Sequence, residues 1–185
     1  MHAPASWELH MREDVTPERL AILMQALSAS APRGMEFRVC MVGGGTAILR
    51  GWRASSLDVD LAVDDDRVLR DIQRLKDELD INIELVEPTA FVPALQGAAD
   101  RHVFIRKIKR VAWYHYDPYT QVLAKLVRGL ERDLADARRF VEDGLVDMDT
   151  LQRLVDAVPD AAYARYPSLS KGAVRRAVEA FASTC

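Results

Sequence analysis

A run of three glycines between two strand-like segments is the feature that most constrains the fold of this chain. The apolar segment Phe37–Val42 stops abruptly at Gly43-Gly44-Gly45, and its length favours a buried strand over a helix. Residues 46–50 then suit a short helix, and residues 57–63 begin with strict alternation of apolar and acidic side chains. Such a period of two is typical of a strand that buries one face. The sequence therefore predicts a strand, a glycine turn, a helix and a second strand in direct succession.

Helix signals flank this unit on both sides. Thr16 precedes a proline and an acid, which is typical of a helix start, and the acidic run 64–66 suits the start of another helix. Beyond residue 116, apolar residues at the helical period predict one long helix from Asp117 to about Val141. Two more helices are expected to begin at Asp149 and Ser170, so the C-terminal part of the chain is predicted to be helical.

Further segments predict strands. Residues 103–108 and 111–116 are short apolar runs rich in β-branched and aromatic residues. Residues 81–85 alternate, and three apolar side chains are predicted to face the core, namely Ile81, Ile83 and Leu85. If this strand lies beside residues 57–63, the alternation turns Glu84 to the face that carries the acids of that strand.

This order of elements predicts the fold class α/β, with a small mixed sheet flanked by helices and a helical C-terminal portion. A chain of 185 residues, 49% of them hydrophobic, lies within the size range of one domain and can bury a core. We expect residues 1–116 to form the α/β core. Residues 117–185 are expected to form a helical portion packed on that core, in a single compact unit.

The composition excludes several classes of protein. The 28 acidic and 25 basic residues give a formal charge of −3, so no overall positive field attracts nucleic acid. Cys40 and Cys185 lack the spacing of a zinc site or of a disulfide framework. No apolar run reaches the roughly 18 residues that span a bilayer, and the first residues lack the features of a signal peptide. We therefore expect a cytoplasmic protein without a membrane partner.

Asp58 and Asp60 are the strongest candidates for metal ligands. Side chains at positions i and i+2 of one strand face lie roughly 6 to 7 Å apart, so both carboxylates can converge on one divalent cation or on a pair of cations. Hard oxygen ligands of this kind suit Mg²⁺ or Mn²⁺. The alternative is a solvated strand face, which is the common role of acids on a half-buried strand.

The glycine turn supplies the second half of the pattern. Glycines between a strand and a helix let backbone N–H groups approach a phosphate closely, and the start of the helix adds a partial positive charge. Gly43, Gly44, Gly45 and Thr46 are therefore predicted to cradle a triphosphate. A dinucleotide-binding domain is disfavoured, because its G-x-G-x-x-G spacing is missing and the Asp-x-Asp strand would have no explanation.

The turn and the strand together resemble the nucleotidyltransferase signature of the polymerase-β superfamily, a Gly-Gly or Gly-Ser turn followed by an Asp-x-Asp strand. Gly43-Gly44 and Asp58-Val59-Asp60 occupy these two steps. The chain also looks similar to bacterial AbiEii-type nucleotidyltransferase toxins of toxin–antitoxin systems and to related nucleotidyltransferase-like proteins. In those proteins a lysine in the helix after the sheet precedes an Arg-Asp-x-x-Asp element, seen here as Lys125, Arg132, Asp133 and Asp136.

The resemblance implies the nucleotidyltransferase fold and a metal-dependent transfer of a nucleoside monophosphate from a nucleoside triphosphate. It assigns Mg²⁺ or Mn²⁺ to Asp58, Asp60 and a third carboxylate, for which Glu84 is the candidate. The acceptor it implies is an RNA 3′ end or another hydroxyl group, including that of a protein side chain. A role as a toxin would add an antitoxin protein as a partner.

The resemblance also implies roles for residues outside the acidic strand. Lys125 would position the nucleotide, and Asp133 would be a catalytic or structural acid. Asp133 falls at the edge of an apolar stripe and needs a partner, either a substrate group or a basic residue of the chain. Arg53 and Ser56 are expected to contact the nucleotide, although the arginine usually found four residues before the first aspartate is Ala54 here.

Two functions from different classes remain open. One is the transferase, in which Glu84 or Asp133 activates the acceptor hydroxyl. The other keeps the fold without the activity, as a catalytically inactive binding module or a toxin–antitoxin component. The third carboxylate discriminates between them, because a Glu84 side chain far from both aspartates would leave the metal site incomplete.

The densest basic stretch of the chain lies between residues 101 and 110 and contains Arg101, Arg106, Lys107, Lys109 and Arg110. A pair of basic strands could contact the phosphate backbone of an RNA. The alternative is a charged edge strand that discourages aggregation. The sequence does not choose between the two.

Overall fold

A five-stranded mixed sheet organises the structure, a computed structural model that describes residues 12–185. The strands are β1 (Phe37–Val42), β2 (Asp58–Val63), β3 (Asn82–Leu85), β4 (Val103–Ile108) and β5 (Val111–His115). They lie in the order β3-β2-β1-β5-β4. β1 pairs in parallel with β5 and antiparallel with β2, while β3 runs parallel to β2 and β4 antiparallel to β5.

Helices make up most of the remaining described chain. The α-helices are α1 (Pro17–Ser30), α2 (Gly43–Leu49), α3 (Ile72–Leu79), α4 (Pro118–Arg128), α5 (Glu131–Glu142), α6 (Met148–Asp156) and α7 (Lys171–Ala182). Short 3₁₀ helices cover Asp66–Leu69, Pro88–Ala90, Ala98–Arg101 and Asp160–Arg165.

One face of the sheet packs against α1 and α3 and forms the first hydrophobic core. The period of two along the strands creates this face: Val59 and Leu61 of β2 are fully buried, whereas Asp58 and Asp60 turn to the other face. Trp113 of β5 is fully buried in this core. The acids are therefore kept out of the first core by the same alternation that builds it.

A second hydrophobic core lies within α4 to α7 and the loop that carries Val92 and Leu95. Three of these helices begin at a side chain that caps them, namely Asp117 for α4, Asp147 for α6 and Ser170 for α7, whereas α5 follows Leu130 without a side-chain cap. The loop residues belong to the part of the chain before residue 117, so the predicted helical portion completes its core with them.

The predicted fold class is confirmed: the structure is an α/β fold with a mixed sheet, flanking helices and a helical C-terminal portion. No helix within residues 12–185 is long and apolar enough to cross a membrane. The first eleven residues of the predicted α/β core lie outside the described residues.

The prediction of one long helix from Asp117 to Val141 is wrong. Gly129 adopts a φ of +67° and ends α4, with its N–H donating to the carbonyl of Lys125. A left-handed residue of this kind favours glycine and closes a helix. α5 then starts at Glu131 in a new direction, because Leu130 is extended. The apolar periodicity runs through the break since both helices bury residues in the same core.

Smaller differences concern the ends of elements. α2 begins at Gly43 rather than at Thr46, and the acidic run starts a 3₁₀ helix, capped by Asp65, that is separate from α3. Leu85 is 57% exposed, in contrast to its predicted burial. It is the last residue of β3, and β3 is an edge strand of the sheet, so no neighbouring strand covers that side.

The buried contact between α1 and β5 gives a test of the first core. Trp113 Nε1–H donates to Ser28 Oγ at 2.9 Å, and both residues are buried. Ser28→Ala removes the acceptor and leaves a buried donor unsatisfied, which costs about 1–3 kcal/mol of unfolding free energy. Denaturant unfolding followed by circular dichroism should show this loss. In a Trp113→Phe background Ser28→Ala should cost much less, and an equal cost in both backgrounds would contradict the contact.

Candidate active-site cleft

A cleft of about 250 Å³ lies between the sheet and the helical portion. Nine of the residues predicted for the site line it: Gly43, Gly44, Arg53, Ser56, Asp58, Asp60, Glu84, Lys125 and Asp133. Gly45 and Thr46, which were predicted to cradle a phosphate, are not part of its lining. The cleft thus brings residues from β2, β3, α2, α4 and α5 together, although they are far apart in sequence.

The pairing of β2 with β3 assembles the acidic side of the cleft. The strands run in parallel, with Asp60 beside Glu84 in the register. One oxygen from each of Asp58, Asp60 and Glu84 lies within 4.8 Å of the others. Glu84 is therefore close enough to Asp58 and Asp60 to share a metal site with them. Three convergent carboxylates are a hard-oxygen donor set, which fits one divalent cation or two cations about 4 Å apart.

Asp60 has a perturbed carboxyl group. Its pKa is raised to about 6, chiefly by burial and then by the neighbouring charges of Asp58 and Glu84, while Arg128 and Lys125 oppose the shift. An ordinary aspartate has a pKa of 3.8. Without a cation the folded chain thus holds like charges together at a cost, and a bound divalent cation would relieve that repulsion.

The glycines allow α2 to begin directly against β2. Gly43 has a φ of +56°, and a Cβ atom there would lie 2.8 Å from Asp60 Oδ2. A Cβ atom on Gly44 would lie 2.3 Å from Ser56 Oγ. Both distances are shorter than side chains tolerate without a shift of their neighbours. Gly43 and Gly44 therefore allow the backbone to lie close to the side chains of Asp60 and Ser56.

Gly45 and Thr46 lie beneath the cleft. Thr46 is 1% exposed, and its hydroxyl donates to the Met41 carbonyl oxygen at 3.2 Å. His115 Nδ1 lies 3.2 Å from the same hydroxyl oxygen. Since α2 starts three residues earlier than predicted, its first turn directs Thr46 into the sheet rather than towards a ligand.

Gln121 of α4 joins the helical portion to the glycine turn. Its Oε1 accepts the Gly43 N–H at 2.9 Å, and its Nε2 donates to the Tyr116 carbonyl oxygen at 2.9 Å. No sequence pattern predicted this residue, because a single glutamine on a helix carries no distinguishing signal. The contact occupies one of the backbone N–H groups that were predicted to face a phosphate.

A chain of ion pairs forms the basic side of the cleft. Arg53 Nε donates to Asp136 Oδ1 at 2.9 Å, and Lys125 Nζ donates to Asp136 Oδ2 at 2.6 Å. Lys125 Nζ also lies 3.4 Å from Asp133 Oδ1, which accepts from Arg128 Nη2 at 2.7 Å. Asp133 therefore finds basic partners within the chain. Its Oδ2 is buried without a hydrogen-bond partner among residues 12–185.

Two exposed arginines of the helical portion, Arg128 and Arg132, also line the cleft. Arg128 lies three residues after Lys125, on the same side of α4, and this spacing was a signal that the sequence analysis could have used. Phe91 was also missed; it lines the cleft although it belongs to a loop without periodicity. The lining thus combines acids from the sheet with cations from the helices.

The basic stretch at 101–110 does not line the cleft. Arg101 donates two hydrogen bonds of 2.9 Å to the buried Asp117 carboxylate. Residues 106–110 lie around the β4–β5 turn, where the Phe37 N–H donates to the Arg110 carbonyl oxygen. That turn is at the start of β1, whereas Asp60 pairs with the end of β1, roughly 16 Å away at the usual rise per strand residue.

The raised pKa of Asp60 predicts a specific dependence of stability on pH. In metal-free buffer, the folded state keeps the proton of Asp60 between its unfolded and folded pKa values of 3.8 and about 6. The contribution of this group to stability therefore falls as the pH rises through that window and is lost above it. Asp60→Asn cannot ionise, so its melting temperature should exceed that of the wild type by more at about pH 7.5 than at about pH 4.5.

A gain of about 1 kcal/mol would shift the melting temperature of a chain of this size by about 2 to 4 °C, which thermal denaturation followed by circular dichroism resolves. Asp64→Asn, an exposed acid just after the same strand, is the matched control and should not reproduce this pH dependence. A difference between Asp60→Asn and wild type that stays constant or shrinks with rising pH would contradict the assigned environment.

Comparison with known proteins assigns the chain to a family. A family model described as "Nucleotidyltransferase of unknown function (DUF6036)" matches residues 18–183. Separate comparisons with curated proteins and with solved structures find no match. The narrower likeness to AbiEii-type toxins is not confirmed by the family match. Because the match runs from α1 to α7 and includes every element that lines the cleft, the chain belongs to this nucleotidyltransferase family.

Proposed function

We propose that this protein is a metal-dependent nucleotidyltransferase that moves a nucleoside monophosphate from a nucleoside triphosphate to a hydroxyl acceptor. The observation that carries the proposal is the convergence of Asp58, Asp60 and Glu84 within 4.8 Å, in the same cleft as four basic side chains. Carboxylates can hold a divalent cation, and arginine and lysine can bind the phosphate oxygens that a cation bridges. Membership of a nucleotidyltransferase family supports the same reading.

Asp58, Asp60 and Glu84 would hold Mg²⁺ or Mn²⁺. A divalent cation there supplies charge neutralisation for the triphosphate and for the pyrophosphate that leaves. Arg128 and Arg132 are exposed at the cleft, and Arg128 also donates to Asp133 Oδ1 at 2.7 Å. In this proposal both guanidinium groups contact phosphate oxygens. Lys125 is 3% exposed and is held by two aspartates; in this proposal it adds a fixed positive charge beneath the triphosphate rather than a mobile contact.

The transfer itself requires a base for the acceptor hydroxyl. The hydroxyl oxygen attacks the α-phosphorus and forms the new P–O bond, while the bond from that phosphorus to the bridging oxygen breaks and pyrophosphate leaves. The hydroxyl proton passes to a carboxylate. Glu84 is exposed on the acidic side of the cleft, whereas Asp133 is 2% exposed and held by Lys125 and Arg128. We therefore assign the proton to Glu84 and a supporting role to Asp133.

An RNA 3′ end is the acceptor that we propose to test first, because the resemblance to RNA-modifying toxins implies it. A role in a toxin–antitoxin system rests on the same resemblance. The basic stretch at 106–110 lies at the far end of β1 from the acids. An RNA that contacts both the basic stretch and the acids of the cleft would therefore have to extend across the sheet. A short acceptor would contact only the cleft.

A catalytically inactive nucleotide-binding module is the second candidate. This candidate is favoured because residues predicted to contact the nucleotide already have partners within the chain. Arg53 and Lys125 are paired with Asp136, and the Gly43 N–H donates to Gln121. Buried ion pairs of this kind are also common in purely structural networks. Binding without transfer would be its signature.

Calorimetry tests the site. Wild-type protein should bind ATP in the presence of Mg²⁺ or Mn²⁺ and lose this binding when the cation is chelated. Asp58→Asn combined with Asp60→Asn should abolish the binding without unfolding the protein, because both cation ligands lose their charge. The matched control is Asp64→Asn combined with Asp66→Asn, which removes two acids at the same spacing just beyond β2. A wild-type protein without cation-dependent binding would overturn the proposal.

Transfer is tested with α-labelled nucleoside triphosphates and total cellular RNA. Label should appear in RNA with wild-type protein, and Glu84→Gln should lower the rate by about 100-fold or more, as expected when a base or metal ligand is lost. Glu87→Gln, which changes a nearby exposed acid that is not in the cleft lining, should leave the rate unchanged. ATP binding without labelling of RNA, protein or small hydroxyl acceptors would establish the binding module instead.

A further inference from the structure

Phe91 is an exposed aromatic side chain inside a cleft that is otherwise rich in charge. It lines the cleft and yet is 62% exposed. Single exposed apolar residues on a protein surface need no explanation. Phe91 differs because its neighbours in the lining, Val86, Pro88 and Ala124, are also apolar. The lining therefore includes apolar side chains as well as carboxylates and arginines.

The backbone around Phe91 is fixed. It follows the 3₁₀ helix Pro88–Ala90, and its N–H donates to the Pro88 carbonyl oxygen. Tyr166 Oη lies 2.5 and 3.0 Å from the carbonyl oxygens of Thr89 and Val92, residues that flank Phe91 in the sequence. Val92 itself is fully buried in the helical core. The loop is thus anchored at both ends while the ring is left open to the cleft.

The amide side chain of the cleft lining is already hydrogen-bonded within the chain. Gln121 is the amide side chain of the lining, and both of its ends are used within the chain, by Gly43 and Tyr116. A ligand group that contacts Phe91 therefore meets a flat ring and apolar side chains but no free amide that could read its edge. A planar aromatic heterocycle fits this environment, because its faces stack on a ring while its polar edge stays in water.

We propose that Phe91, supported by Val86 and Pro88, binds the nucleobase of the nucleoside triphosphate by stacking and without reading its hydrogen-bonding edge. This inference rests on the proposed function and specifies its substrate class. The cleft would accept purine and pyrimidine nucleotides alike, since stacking tolerates every base. Purine nucleotides would bind somewhat more tightly, because their larger ring system covers more of the ring of Phe91. Phe91 is a binding residue in this scheme and takes no part in the transfer.

The test compares ATP and CTP with inorganic tripolyphosphate, which carries the phosphates but no base, in calorimetry with Mg²⁺. Phe91→Ala should weaken ATP binding by about 5- to 150-fold, which corresponds to the ~1–3 kcal/mol measured for a stacked base. Its affinity for tripolyphosphate should not change. Phe91→Trp should retain ATP binding, and the four nucleoside triphosphates should bind wild type within about tenfold of one another. Phe104→Ala is the matched control, because Phe104 is 57% exposed but lies on β4 outside the cleft lining.

The outcomes separate this inference from the proposed function. Equal affinity of wild type for ATP and tripolyphosphate, unaltered by Phe91→Ala, would overturn the stacking role and leave the transferase proposal standing. Equal losses for both ligands in Phe91→Ala would also overturn it, since the ring would then support the cleft rather than the base. Discrimination among the four bases by more than about 1,000-fold would indicate edge reading. A wild-type protein that binds neither ligand would overturn both proposals.

Discussion

The contact between the first turn of α2 and β2 is the constraint on which the cleft depends. A side chain at Gly43 would meet Asp60 Oδ2 at 2.8 Å, so only glycine lets the helix start at this point. The same residue donates its N–H to Gln121 of α4. One close approach thus sets the carboxylate of β2 against the helix start and also ties the helical portion to the sheet.

The electrostatics of the cleft follow from two separate cores. The sheet holds Asp58, Asp60 and Glu84 on the face that the first core leaves uncovered, where burial and the charges of Asp58 and Glu84 raise the pKa of Asp60. The helical portion supplies the cations, and Arg53, which precedes β2, reaches across to Asp136 of α5. Neither core alone would form a site for a cation with a triphosphate. The two cores together bring the acids of the sheet and the basic residues of the helical portion into one cleft.

Local periodicity predicted much of this arrangement correctly. The alternation in β2 and β3 gave the strands and the shared face of Asp60 and Glu84, because side-chain direction along a strand depends only on the backbone. The same reasoning failed where a single residue overrides a pattern. Gly129 ended a helix that the apolar period continued, and Leu85 escaped burial at a sheet edge. The spacing of apolar residues predicts which side chains are buried. It does not predict where the chain turns between two helices that share a core.

By itself the sequence determined the strands, the fold class and the shared strand face of Asp58 and Asp60, since these depend on period, turn chemistry and spacing along one segment. The tertiary structure alone decided the rest of the site. The partners of Lys125 and Asp133, the burial of Thr46 and the place of Phe91 in the cleft all involve residues from different elements. Such contacts arise from the pairing of β2 with β3 and from the docking of α4 and α5, which no local pattern encodes.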